Sequence, residues 1–383
     1  MESQFVFPND WHVAWSIMIV LYPYITGLVA GAFVVSALYH VFHDNSLKPV
    51  SRLAMVTALC FCSCATLPLL LHLHQPTRAF NIMITPSSTS AMAGFGFIYN
   101  LYMLLLVVEV WLIFRPEIVA AAQTSTGIKG LVTKVLSLGI KEITPGARAV
   151  DNWVIRVLAI IGIPAACILH GYVGFLFGGI KANPWWSTAM MPVIFLVSAV
   201  VSGIAALLLF YMITGRGHSK EERSECIYSL TRYLWIALIA AFALEMLELL
   251  HMAYEGSSDW HVIWHLLTHP LRMSYGVLQV VAGSLVPLLL LPLALLMKRW
   301  PRLMMTVSAL ASLLVLVQVF AMRWNVVIGG QLFSKSHRGF VTYPLEPMGR
   351  EGLIAAIVVL ILPVVLLLVA SKVLPVYEEK TAH

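Results

Sequence analysis

The chain has 383 residues, 60% hydrophobic and 11% charged, with a mean hydropathy of +0.87. That excludes a water-soluble globular fold, in which about a quarter of the residues are charged, and the long unbroken apolar runs exclude an outer-membrane barrel. The net charge of +6 reads as a topology signal and not as a nucleic-acid footprint.

A membrane-crossing helix needs about 20 apolar residues, and nine such runs are predicted: 13–40, 53–73, 92–114, 153–177, 187–213, 230–254, 273–297, 303–328 and 352–374. The first follows Asn9, Asp10 and His12 and carries Gly27 and Gly31, a small-x-x-x-small pair suited to close helix packing. Residues 1–10 are polar without a basic stretch, so the first span is expected to serve as the insertion signal. The second holds Cys60, Cys62 and Cys64, read as small packing residues, and ends in His72 and His74, with Arg78 in the loop beyond. Glu109 lies late in the third. Segment 115–150 sets Ile128, Leu131, Val132, Val135 and Leu138 at helical spacing beside Lys129, Lys134 and Lys141, as an interfacial helix does. The fourth span begins with Arg156, positioned to pair with Glu109 or to snorkel, and later carries His170 and Tyr172. In the sixth, Glu245, Glu248 and His251 fall at i, i+3 and i+6, and Arg323 in the eighth reaches similar depth. Pro68, Pro164, Pro192, Pro287 and Pro292 predict kinks within spans.

Lys and Arg are divided unequally between the two sides. The loops after the odd-numbered spans and the C-terminal tail hold fifteen of them (Lys48 to Lys380), against six, Arg78, Lys181, Arg272, Lys335, Arg338 and Arg350, on the other side. The expected topology therefore has the N-terminus outside and the C-terminus cytoplasmic. The outward loops 72–91, 178–186, 255–272 and 329–350 are lightly charged and rich in Trp, His, Pro and Gly, as a docking surface is.

Ionisable groups inside spans are costly and mark function. His12, His72, His170 and Tyr172 fall near one outer layer if the first four spans form a bundle. Such a layer suits a quinone head group, whose oxygens need hydrogen-bond donors that also accept protons when quinol is oxidised. A competing reading makes His72 and His170 haem b ligands. Buried Glu and Arg pairs and a secondary transporter are further alternatives, the latter disfavoured by the absence of a clear internal repeat. The five cysteines form no C-x-x-C pair, so neither zinc nor an iron–sulfur cluster is expected in this chain.

Several stretches resemble the NrfD/PsrC family of quinone-reactive membrane subunits. One is the opening W-H-V-A-W-S-I-M-I-V-L-Y-P-Y-I-T-G-L-V-A-G-A-F from Trp11 to Phe33, similar to the family's first span with G-L-x-x-G. Another, His72 to Gly96, resembles the family's D-L-G-R-P followed by an aromatic stretch and T-S-x-M, although His72, His74 and Gln75 stand where the family has Asp, Gly and Arg. The most specific begins at His170 with H-G-Y-V-G-F-L-F-G-G-I-K-A-N-P-W-W, and R-W-N-V-V-I-G-G-Q at Arg323 to Gln331 is similar to the longer members found with sulfate-respiration, tetrathionate and hydrogenase-2-type complexes.

The resemblance implies an all-α integral membrane fold of two four-helix bundles plus a last helix, divided as 1–177, 178–330 and 331–383. It implies menaquinone or another quinone as the cofactor, bound at the outer edge of the first bundle. No metal is implied in this chain. Partners would be a ferredoxin-like subunit with [4Fe-4S] clusters and a catalytic molybdopterin, hydrogenase or multihaem cytochrome c subunit, in a bacterial or archaeal cytoplasmic membrane. By carry-over Tyr172 matches the Tyr of the family's Y-x-G, and His12 the polar start of its first helix; His170 and His72 are added from position. Asn9, His74 and Arg78 are expected to support the head group or the partner, and Glu109, Glu245, Glu248, His251 and Arg323 to offer a proton path.

Overall fold

The computed structural model describes residues 13–87, 89–215, 219–256, 258–333, 339–374, 376 and 377. Asn9, Asp10 and His12 therefore lie outside the described residues, as do Arg216, Lys335, Arg338 and Lys380 of the charge count. Among the described residues nine helices are long and apolar enough to cross a bilayer: Ile17–His40, Asn45–His72, Ala91–Thr124, Pro145–Gly178, Met191–Thr214, Lys220–Glu255, Arg272–Leu296, Pro301–Gln331 and Leu353–Val373. They are called spans one to nine below. The protein is a multi-pass integral membrane protein.

Span ends follow local chemistry. Ser16, Ser90 and Thr144 cap spans one, three and four by accepting backbone N–H groups, Ser219 and Glu222 form a capping box at span six, and Gly256 closes that span in the left-handed region at φ 62°. Among the predicted kink sites, Pro164 and Pro292 lie inside helices, whereas Pro192 occupies the first turn of span five, where its missing N–H is harmless. Pro68 restarts span two after a break between Cys64 and Leu67. Pro287 stands where span seven changes winding: Arg272–Leu285 is a π-helix and Val286–Leu296 an α-helix.

Segment 115–150 contains the expected interfacial helix in shortened form. Span three runs on to Thr124 and span four starts at Pro145, leaving only the helix Gly127–Leu136, whose Leu131, Val132 and Val135 are exposed. Gly127 allows that turn because its φ is +67°.

Span one is the centre of the molecule. It packs against spans two, four, five and eight, and a Cβ added at Gly31 would meet the Ala199 carbonyl oxygen at 2.3 Å and the Gly203 Cα at 2.7 Å. Spans one and five thus touch backbone to backbone, which places the small-residue pair at a seam between the first four spans and the next four. Span nine lies on span two at the periphery.

The two ends of the helix array differ. The basic end carries the Arg52–Glu117 bridge at 2.8 Å and the Arg115–Asp151 pair, while Tyr233 donates to Asp44 at 2.6 Å. The opposite end, called the rim here, gathers among the described residues the segments 72–87, 89–91, 178–190, 329–333 and 339–352.

Candidate functional site

At the rim, His72 Nδ1 lies 2.7 Å from Glu351 Oε2, joining the end of span two to the approach of span nine. Burial tends to raise the Glu351 carboxyl, but hydrogen bonds from Ser16 and His72, with the positive charge of Arg350, outweigh it and hold the group below the usual carboxylate range. Arg350 Nη2 donates to the carbonyls of Leu70 and Leu73 at 2.7 and 2.6 Å, and Ile17 N–H donates to the Tyr343 hydroxyl at 3.1 Å. The start of span one is thereby framed by two ionisable side chains and a phenol. His74 and Arg78 are exposed nearby.

The stretch R-W-N-V-V-I-G-G-Q takes its meaning from the contacts it makes. Arg323, fully buried, places Nη2 at 3.0 Å from His170 Nε2, 2.7 Å from Ser198 Oγ and 3.1 Å from the Phe195 carbonyl, with its guanidinium 3.8 Å over the Phe195 ring. Asn325 donates to Gln279 Oε1 at 2.7 Å. Gly330 leaves room for the Trp186 indole, whose Nε1 donates to the Val326 carbonyl at 2.6 Å. Gln331 exchanges bonds with the Trp15 backbone at 2.8 and 3.3 Å, and Trp15 stacks on Trp186 with centroids 5.2 Å apart. One short segment therefore joins spans one, four, five and seven at the rim.

These contacts separate residues that the sequence grouped. His170 faces the interior, and as its Nε2 accepts from an arginine, its proton sits on Nδ1, which is buried without a partner. Tyr172, two residues on and so on another face of the helix, donates to the Ala91 carbonyl at 2.7 Å beside Gly94. His72 and His170 are thus engaged with Glu351 and Arg323, and among the described residues no group of three or more His, Cys, Asp and Glu is positioned to hold a metal.

Two expected partnerships need correction. Arg156 is exposed and reaches His43, not Glu109, whose carboxylate oxygens are both buried with no partner among the described residues. Arg323 does not hydrogen-bond the span-six carboxylates: Glu245 accepts from Gln279 at 2.9 Å and from Gln318 at 3.2 Å. Glu245 and Glu248 line a pocket with Trp185, Tyr275, Gln279 and Met322 in its wall, whereas His251 is exposed at the end of the span. Glu351, Tyr343, Gln279, Gln318 and Asn325 escape a reading based on ionisable residues within spans: the first two lie in the rim loop and the others are uncharged amides. The amides carry a readable signal, since each is polar within an apolar run.

The pattern of the family described as polysulphide reductase, NrfD, matches residues 8–335, which include the first eight spans and most of the rim. The chain belongs to the NrfD family. Similar NrfD-type and related proteins include a selenate reductase subunit of Mesobacillus selenatarsenatis, 30% identical over 82% of this chain and 73% of that one. An Hdr-like menaquinol oxidoreductase integral membrane subunit of Archaeoglobus fulgidus is 24% identical over 90% and 77%. A polysulfide reductase polypeptide of Wolinella succinogenes is 23% identical over 84% and 95%. The match ends before Glu351, so the carboxylate partner of His72 lies outside the NrfD pattern.

Proposed function

We propose that this chain is the quinone-reactive membrane subunit of a respiratory oxidoreductase complex, working near the outer membrane face. The observation that carries this reading is the His72–Glu351 pair at the rim, beside the start of span one, in a chain of the NrfD family. Oxidising a quinol releases two electrons and two protons, and the protons need acceptors where the membrane meets water. A hydrogen-bonded imidazole and carboxylate, with side chains 23% and 33% exposed, suit that task. Tyr172 and His12 are the further residues for head-group contact, with Asn9, His74 and Arg78 at the margin. His170 acts from behind, holding Arg323 in place.

The first bundle, 1–177, houses this chemistry, the second comprises 178–330, and 331–383 adds the rim loop, the last span and the tail. Electrons pass to or from an iron–sulfur subunit docked on the rim, and through it a catalytic molybdopterin, hydrogenase or multihaem cytochrome c subunit. A relative named as a menaquinol oxidoreductase subunit favours menaquinone. Glu109, buried with no partner among the described residues, is the interior carboxyl best placed for a proton route from the basic end. The orientation with the rim outside, in the cytoplasmic membrane, rests on the charge count.

The test is to purify the complex, extract bound quinone, record its visible spectrum and assay quinol oxidation. The expected outcome is bound quinone, no haem b in this chain, and a fall of about 10²-fold in kcat/KM for His72→Ala, within the range lost with one proton-transfer group. A haem b signal from this chain, or unchanged quinol turnover in the variant, overturns the assignment.

A further inference from the structure

The pocket in the wall of spans five to eight is separate from the His72–Glu351 corner and has a structure of its own. It lies toward the rim, since its lining draws on the starts of spans five and seven and the ends of spans six and eight.

Its polar groups are prearranged. Glu245 is held from two sides, by Gln279 Nε2 at 2.9 Å and Gln318 Nε2 at 3.2 Å, and Gln279 is in turn fixed by Asn325 at 2.7 Å. The helix carrying Gln279 is wound as π over Arg272–Leu285, a rare form concentrated at functional sites. At about 4.4 residues per turn, as i to i+5 bonding requires, Tyr275 and Gln279 lie nearly one above the other, and both line the pocket. Gly283 continues that face: a Cβ there would meet Gln318 Cβ at 2.3 Å, so its absence lets span eight approach closely enough for Gln318 to reach Glu245.

One donor is left over. Trp185 lines the pocket, and its Nε1 is buried with no acceptor among the described residues. An indole N–H in that state is costly unless an acceptor joins it. Glu248 adds a second carboxylate. The remaining wall is apolar, aromatic and methionine-rich, with Met191, Leu249, Met252 and Met322, surfaces that favour a flat ring. A ligand here needs a ring face, an acceptor oxygen for Trp185, a donor oxygen for a carboxylate, and solubility in the bilayer.

We propose that this pocket is a second binding site for a lipid-soluble ring of the quinone class, Trp185 Nε1 donating to one ring oxygen and Glu245 or Glu248 accepting from the other when it is a hydroxyl. The proposal rests on the reading that the protein handles quinone and concerns binding alone. It makes spans five to eight a ligand-binding half rather than a scaffold.

The experiment is photolabelling of the purified complex with an azido-naphthoquinone, mapping labelled peptides with and without excess unlabelled naphthoquinone. The expected result is two displaceable sets of peptides, one near residues 72 and 351, the other spanning 185–191, 249–252 and 275–279. Trp185→Phe should lower labelling of the second set about tenfold, as loss of one hydrogen bond predicts, and leave the first intact. Ile194→Trp, which fills the pocket from another wall, provides a second variant should Trp185→Phe reduce the yield of folded complex. Displaceable labelling confined to the first set, or labelling of the second that neither variant lowers, overturns the second site and leaves the proposed function standing. No displaceable labelling anywhere overturns both.

Discussion

Spans one and nine are both apolar helices of membrane-crossing length, yet 94% of the most apolar stretch of span one is buried within the protein and only 22% of that of span nine. The more apolar of the two is the peripheral one, so hydropathy does not select the central helix; side-chain size does. Span one carries Gly27, Ala30, Gly31, Ala32, Ser36 and Ala37, and at Gly31 the backbone of span five lies where a side chain would be. Span nine is mostly Leu, Ile and Val, and Val358, Ile361 and Val369 face outward, 58%, 51% and 53% exposed. In a bilayer, lipid tails solvate Leu as well as protein does, so close approach of small residues, not apolar burial, selects the central helix.

The strongest way to break this contrast is Gly31→Leu. Its Cβ alone would sit 2.3 Å from the Ala199 carbonyl oxygen, so spans one and five must part. The expected outcome is no monodisperse protein on size-exclusion chromatography in detergent. Next in size is Arg323→Met, which removes the cation that ties span eight to His170, Ser198 and Phe195. Leaving the buried acceptors on His170, Ser198 and Phe195 without their donor costs about 1–3 kcal/mol, read as a fall in the thermal unfolding temperature.

The pH dependence sharpens the peripheral side of the comparison. Because the Glu351 carboxyl is held below its ordinary value in the folded protein, its tie to His72 and Ser16 stabilises the docking of span nine above the unfolded carboxylate value of about 4.3. That contribution is lost as pH falls through the lower, folded value. The hydrogen-exchange protection of residues 346–353, taken against the intrinsic rate at each pH, should therefore be flat from neutral pH to about 5 and fall on further acidification, and Glu351→Gln should abolish the fall. Smallest of all, Ile361→Ala on the outward face of span nine should change stability by less than about 0.5 kcal/mol, measured by the same thermal unfolding.

Much of the site is legible in the sequence as separate residues and not as an arrangement. His72 is visible as a polar residue ending a span, but its partner Glu351 is 279 positions away and belongs to a loop that charge counting treats as solvent. His170 and Tyr172 are near neighbours in sequence, and helical geometry sends them to different places. Glu245 and Glu248 are visible as one polar side of span six; the amides that hold Glu245 are visible only as polar residues in apolar runs, and an uncharged amide there carries no expected partner.

The sequence by itself determined the number of spans, their approximate limits, the membership of the NrfD family and the unequal charge of the two sides, because each depends on composition summed over a window or on short motifs. Tertiary structure alone decided which helix is central, that Arg323 meets His170 rather than a carboxylate, and that span seven winds as a π-helix to present Gln279. Those outcomes depend on contacts between residues far apart in sequence, where a few ångströms of helix approach decide which polar groups meet.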